Sequence, residues 1–73
     1  MKENILRLLS DALPAVDFDS DFLFSELDSL GVVTILAILS NEYGIKLTAN
    51  DVTPRNFKTI DTLVNMVESK LNK

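Results

Sequence analysis

Asp28 and Gly44 bracket a stretch, Ser-Leu-Gly-Val-Val-Thr-Ile-Leu-Ala-Ile-Leu-Ser-Asn-Glu-Tyr, that holds one charged residue and has apolar side chains on both of its sides. Aspartate is a favoured N-cap because its carboxylate accepts the unpaired N–H groups of a first helical turn, and glycine tolerates the left-handed backbone that ends a helix. A helix over 29–43 is therefore expected. Val32, Ile35, Leu36, Leu39 and Tyr43 share one arc of that helix, the pattern of a core-facing side, and all five are expected to be buried. A chain of 73 residues buries only about 60% of the surface its unfolded form exposes, so it holds one small core. So apolar a helix has to stand at its centre.

The other elements follow from spacing and punctuation. Ile5, Leu8, Leu9 and Ala12 recur three and four residues apart, and Pro14 keeps the residue before it out of helical space, which predicts a helix over 3–13. From 14 to 27 the chain interleaves Asp17, Asp19, Ser20 and Asp21 with Val16, Phe18, Phe22, Leu23 and Phe24 without a sustained period, and it reads as a long loop pinned by buried aromatics. Thr48-Ala49-Asn50-Asp51 resembles a capping box with Asp in place of Glu, and Pro54 leaves room for only a helical turn or two between 49 and 57. Thr59 is placed to cap a last helix over 60–72, whose Ile60, Leu63, Val64, Val67 and Leu71 repeat the helical spacing. No strand-like alternation and no internal repeat is visible. The expected architecture is all-α, a small bundle of three long helices and one short one, forming a single domain over 1–73.

Composition removes several classes of function. Seven basic against eleven acidic residues give a net charge of −4, which repels nucleic acid and anionic membrane and suits basic patches on partner proteins. No apolar run approaches the length that crosses a bilayer, and the amino end has no signal-peptide core, so a cytoplasmic protein that folds as a monomer without inserting into membrane is expected. With neither His nor Cys in the chain, the usual bases and nucleophiles of neutral-pH catalysis are missing, and an enzyme is not expected. Asp17, Asp19 and Asp21 look at first like a calcium loop. The glycine of the sharp turn and the glutamate at the twelfth position are absent, which favours a solvated acidic loop with no metal.

Ser29 stands where backbone N–H groups and the positive end of the helix dipole converge, so a phosphodiester on its oxygen would be electrostatically tolerated. Taken alone, Asp28-Ser29-Leu30 is adequately explained as a capped helix start. On the side of the helix away from the core arc, however, the wheel places Leu30, Thr34, Ala37, Ile38 and Asn41, where a surface helix should be polar. An apolar strip beginning beside a candidate modification site marks a partner-binding surface, unless the loop 14–27 folds over it; both readings stand at this point.

Taken together, these residues resemble the acyl carrier protein family. Leu27-Asp28-Ser29-Leu30, the apolar helix through Leu39, Glu42-Tyr43-Gly44-Ile45, the short segment with Pro54 and Phe57, and the Thr59-Ile60 opening of the last helix fall in the order that family shows. The resemblance implies a 4′-phosphopantetheine arm on Ser29, installed by a phosphopantetheinyl transferase that supplies its own metal and base while Ser29 attacks the diphosphate of coenzyme A. It implies an acyl- or aminoacyl-activating ligase that loads the arm as a thioester, and a downstream acyltransferase or synthase that receives the group. Asp28 would help the transferase recognise the site, and Leu30 and Ala37 would lie at the docking surface. Fatty-acid-synthesis carriers have acidic residues along the exposed side of this helix. Here Gly31, Thr34, Ser40 and Asn41 occupy it, with Glu42 late in the helix, which weakens electrostatic steering. The run from Leu27 to Val33 is more similar to small stand-alone carriers of amino acids, such as the D-alanyl carrier of teichoic acid modification.

A different class of function competes with this one: a non-covalent adaptor that holds a partner helix on its apolar strip and needs no modification. Neither cargo nor pathway is encoded in a chain whose acyl group would hang on a flexible arm. A shallow apolar cleft lined by Val33, Leu36 and Ile60 is compatible with so small a core.

Overall fold

The helical periods of the sequence fold, in a computed structural model that describes residues 1–72, as three long helices and a one-turn helix. Position 73, the last of the single domain expected over 1–73, lies outside the described residues. In chain order the elements are α1 (Lys2–Ala12), α2 (Leu23–Glu26), α3 (Ser29–Tyr43), a 3-10 turn (Ala49–Asp51) and α4 (Ile60–Leu71). The expected all-α bundle is the observed one, with α1, α3 and α4 packed pairwise around one core.

That core is built from Ile5 and Leu9 of α1, Ile35 and Leu39 of α3, and Ile60, Leu63, Met66 and Val67 of α4, closed by Leu23 of α2 and by Phe18 and Phe57 from the connections. The helix starts follow the sequence signals. The Thr59 hydroxyl accepts from the Thr62 N–H at 3.2 Å while the Thr62 hydroxyl accepts from the Thr59 N–H at 3.0 Å, a reciprocal cap that fixes where α4 begins. Gly44 ends α3 in the left-handed conformation, φ 61°, which explains glycine at that position. Ala12 is exposed at the end of α1, and Leu71 in the last turn of α4 has run past the core. Met66 is a core residue that the spacing of Ile60, Leu63 and Val67 did not single out.

Two expectations are corrected and a third is narrowed. The segment 14–27 is not a featureless loop: it contains α2, and only Phe18 of its three aromatics is buried, whereas Phe22 is 73% exposed and Phe24 37% exposed. Leu23 takes the buried position between them, and its N–H donates to the Lys58 carbonyl at 2.9 Å. Successive residues of a helical turn point about 100° apart, so burying Leu23 turns its neighbours outward. The short third helix is a single 3-10 turn, because Pro54 has no N–H to continue the ladder and holds Thr53 out of helical space. Of the five residues on the core arc of α3, Ile35 and Leu39 are fully buried, while Val32, Leu36 and Tyr43 are half-buried. Tyr43 keeps its hydroxyl at the edge, where it accepts from Asn4 Nδ2 at 3.1 Å; Val32 and Leu36 face a groove beside the start of α3.

Candidate functional site

Leu27 leaves α2 in extended backbone, and Asp28, also extended, turns the chain into α3. The Asp28 carboxylate then accepts from the Gly31 N–H at 2.7 Å, and its carbonyl accepts from the Val32 N–H at 3.0 Å. Capping of this kind satisfies two of the first-turn donors and leaves those of Ser29 and Leu30 at the open end of the helix. Gly31 is buried against this cap: a Cβ there would lie 3.2 Å from Asp28 Oδ1, tighter than ordinary contact. The absent side chain is what lets the carboxylate fold over the helix start.

Ser29, the first residue of α3, is exposed. The residue is thus not sealed in the bundle, and the segment 14–27 does not bury it. An anion on that oxygen gains from the helix dipole, a contribution of roughly 0.3–1 kcal/mol at an exposed site.

Beside Ser29 opens a groove of about 530 Å³ lined by Phe24, Leu27, Asp28, Ser29, Val32, Val33, Leu36, Ala49 and Val52. The apolar cleft expected from Val33, Leu36 and Ile60 is thus present with a different floor. Ile60 is 5% exposed within the core, and the far wall comes from the 3-10 turn, whose Ala49 and Val52 carried no periodic signal. Phe24 closes one end, edge-to-face with the buried Phe57 at a centroid distance of 6.2 Å.

The strip assigned to partner binding is rearranged. Leu30 is 74% exposed, so the loop does not cover it, and Ala37 and Asn41 are exposed on the same side. Thr34 is half-buried with its hydroxyl donating to the Leu30 carbonyl at 2.8 Å, and Ile38 is half-buried and packs against the core. Val33, 60% exposed, takes the place that Ile38 was given. Leu30, Val33, Ala37 and Asn41 follow spacings of three and four, so this misplacement is one of angle: the outward face is turned by less than half of the roughly 100° step of one residue.

Asp17, Asp19 and Asp21 are exposed, and the Asp17 carboxylate accepts from the Asp19 N–H at 3.0 Å, a local turn. Among the described residues no three His, Cys, Asp or Glu side chains converge as a metal site, and no helix is long and apolar enough to cross a membrane.

A comparison with protein families matches residues 2–68 to the phosphopantetheine attachment site. The comparison with curated proteins gives no match, and that with solved structures gives none. Domains of the matched family are sites of covalent 4′-phosphopantetheine attachment; they carry rather than catalyse, and they interact with modifying transferases and biosynthetic enzymes. Since the match covers nearly the whole chain, from the start of α1 through most of α4, the protein belongs to this family of phosphopantetheine-bearing carriers.

Proposed function

We propose that Ser29 is the attachment residue and that the protein carries acyl or aminoacyl groups between enzymes. The observation that carries this reading is an exposed serine as the first residue of α3, beside a capping carboxylate and at the mouth of an apolar groove. The residues fit the group. Ser29 Oγ would hold the phosphodiester, the adjacent N–H groups and helix dipole would stabilise its negative charge, and the groove of Val32, Val33, Leu36 and Val52 offers the arm an apolar bed.

In the attachment step Ser29 Oγ bonds to the phosphorus next to the pantetheine of coenzyme A, and the diphosphate bond to the nucleotide breaks. The hydroxyl proton passes to a base of the transferase, because this chain has no histidine to take it. Once attached, the arm supplies the thiol that the sequence lacks and holds its cargo as a thioester. Asp28 fixes the start of α3 and so fixes where the Ser29 oxygen is presented. Leu30, Val33, Ala37 and Asn41, flanked by Thr34 and Ile38, form the surface on which the phosphopantetheinyl transferase, an acyl- or aminoacyl-activating ligase and a receiving acyltransferase or synthase dock in turn. The scarcity of charge on that face favours apolar over electrostatically steered docking. The single carrier domain spans 1–73 in this reading.

Incubation with coenzyme A and a broad-specificity phosphopantetheinyl transferase should add the mass of one arm, and Ser29→Ala should abolish the gain. An unchanged mass for the folded wild-type chain, or a gain that persists in Ser29→Ala, overturns the assignment. Leu30→Glu should slow the modification while leaving the helical spectrum intact; a partner that binds Ser29→Ala as well as wild type, with no mass gain in wild type, would point to the non-covalent adaptor instead.

A further inference from the structure

The two walls of the groove are held by different forces. Val32, Val33 and Leu36 belong to α3, which is anchored by the fully buried Ile35 and Leu39. The opposite wall is Ala49, from a 3-10 turn that buries no residue, and Val52 just after it; Leu47 and Val52, on the flanks of the turn, are only half-buried. Leu47 and Val52 pack the flanks against the core, and polar contacts hold the turn between them. One Asp51 carboxylate oxygen accepts from the Thr48 N–H at 2.9 Å, closing the turn, and the other lies 3.0 Å from Lys70 Nζ in the last full turn of α4. The Asp51 carbonyl accepts from Asn56 Nδ2 at 3.0 Å, and the Asn56 carbonyl accepts from the Thr62 hydroxyl at 2.8 Å, so a second link runs to the start of α4.

This ion pair differs from the other one in the described residues. Lys2 and Asp61 are 52% and 67% exposed, the condition in which a pair contributes little, whereas Asp51 and Lys70 are 16% and 31% exposed. Asp51 also binds in two directions at once, along its own turn and across to α4. A carboxylate so placed does more than cap: it ties the turn to the last helix of the bundle.

We propose that Asp51 and Lys70 are positioning residues, a latch across the back of the 3-10 turn that sets how far the groove beside Ser29 opens. Release of the latch lets Ala49 and Val52 swing from Val33 and Leu36 while the core of α1, α3 and α4 stays packed. Its functional meaning rests on Ser29 bearing the arm, because only then does a tethered group stand at the groove mouth; the latch itself is a property of the unmodified chain.

The test uses the full unmodified chain, so its outcome is independent of whether a transferase acts on Ser29. Amide exchange with water, followed by NMR, is read at Asp51, Val52 and Thr53, whose N–H groups bond to the carbonyls of Thr48, Ala49 and Asp51. Lys70→Met keeps the aliphatic stem and removes the charge. It should speed exchange at these three amides about fivefold, leaving those of Leu9, Leu39 and Leu63 unchanged. Lys70→Arg, which restores the ion pair, should return the wild-type rates. In wild type about 1 M salt should reproduce part of the acceleration by screening, and in Lys70→Met it should add nothing. Unchanged rates in Lys70→Met, or a rise shared equally by the core amides, overturns the proposal: the pair would then be either inert or an ordinary contribution to global stability. Lys70→Arg failing to restore the rates would likewise remove the ion pair as the cause.

Discussion

Helices α3 and α4 begin alike and end differently in purpose. Each opens on a side chain that caps its third residue's N–H, Asp28 onto Gly31 and Thr59 onto Thr62, and each buries one face against the same core. Beyond that face they part. On α4 the outward positions are Asp61, Asn65, Glu68 and Ser69, with Leu71 the one apolar exception in its last turn. On α3 they include Leu30 and Val33, 74% and 60% exposed. The outer surface of α4 is what a helix needs merely to pack and stay in solution. Apolar side chains on the outer surface of α3 contribute almost nothing to folding and expose area that water disfavours, the pattern on which the proposed docking surface rests.

The largest effect that would break this contrast is on stability. Ile35→Ala, from the inner face of α3, should cost about 2–5 kcal/mol in urea unfolding, while Leu30→Ala, five residues earlier, should stay within about 0.5 kcal/mol. A comparable loss at Leu30 would mean that its face is structural after all.

Next come the helix starts. Asp28→Ala and Thr59→Ala should each lose about 1 kcal/mol by thermal melting, since each removes a cap. Asp28→Asn still accepts the Gly31 N–H and should keep stability near wild type. If Asp28 also serves recognition by the transferase, its modification should slow while Thr59→Ala leaves that rate untouched.

The helix ends sharpen the comparison further. Gly44 sits at φ 61°, and a Cβ added there would meet nothing within 4 Å, so Gly44→Ala should cost about 1 kcal/mol of backbone strain alone. Asn72, at φ −91°, has an ordinary backbone, and Asn72→Ala should leave the melting midpoint in place.

Smallest is the effect of acid on the 3-10 turn. The Thr48 N–H, and after it Lys70, hold the Asp51 carboxyl below its ordinary value of 3.8. A lowered folded-state value means the ionised form is favoured by folding: this stabilisation is in place above the ordinary value and is lost as pH falls through the folded one. After solvent screening it amounts to less than about 1 kcal/mol. Melting followed from pH 5 downward should show a loss below about pH 4 that is smaller in Asp51→Asn.

Much of this was legible in the order of residues because local rules decided it. Asp28, Gly44, Thr48 and Thr59 act on backbone groups within four residues of themselves, so caps and ends follow from neighbours along the chain. Periodicity likewise found Ile5, Leu9, Ile35, Leu39, Leu63 and Val67. Where two faces of one helix are both apolar, periodicity loses its angle: with α3 hydrophobic on both sides, nothing local distinguished Val33, which faces out, from Ile38, which packs inward. Phe22 and Phe24 failed for a related reason, since large aromatics usually mark a core and here the single turn of α2 gives that place to Leu23.

By itself, then, the sequence determined the three long helices, their approximate limits and the serine at the head of α3, because hydrogen bonds within a turn and the 3.6-residue repeat act over short separations. Only tertiary packing decided that this serine stands open and that the 3-10 turn faces α3 across a groove. Packing also brought Lys70 to Asp51, nineteen positions away in the chain. Those relations depend on how three helices share one small core, and no short stretch of residues contains them.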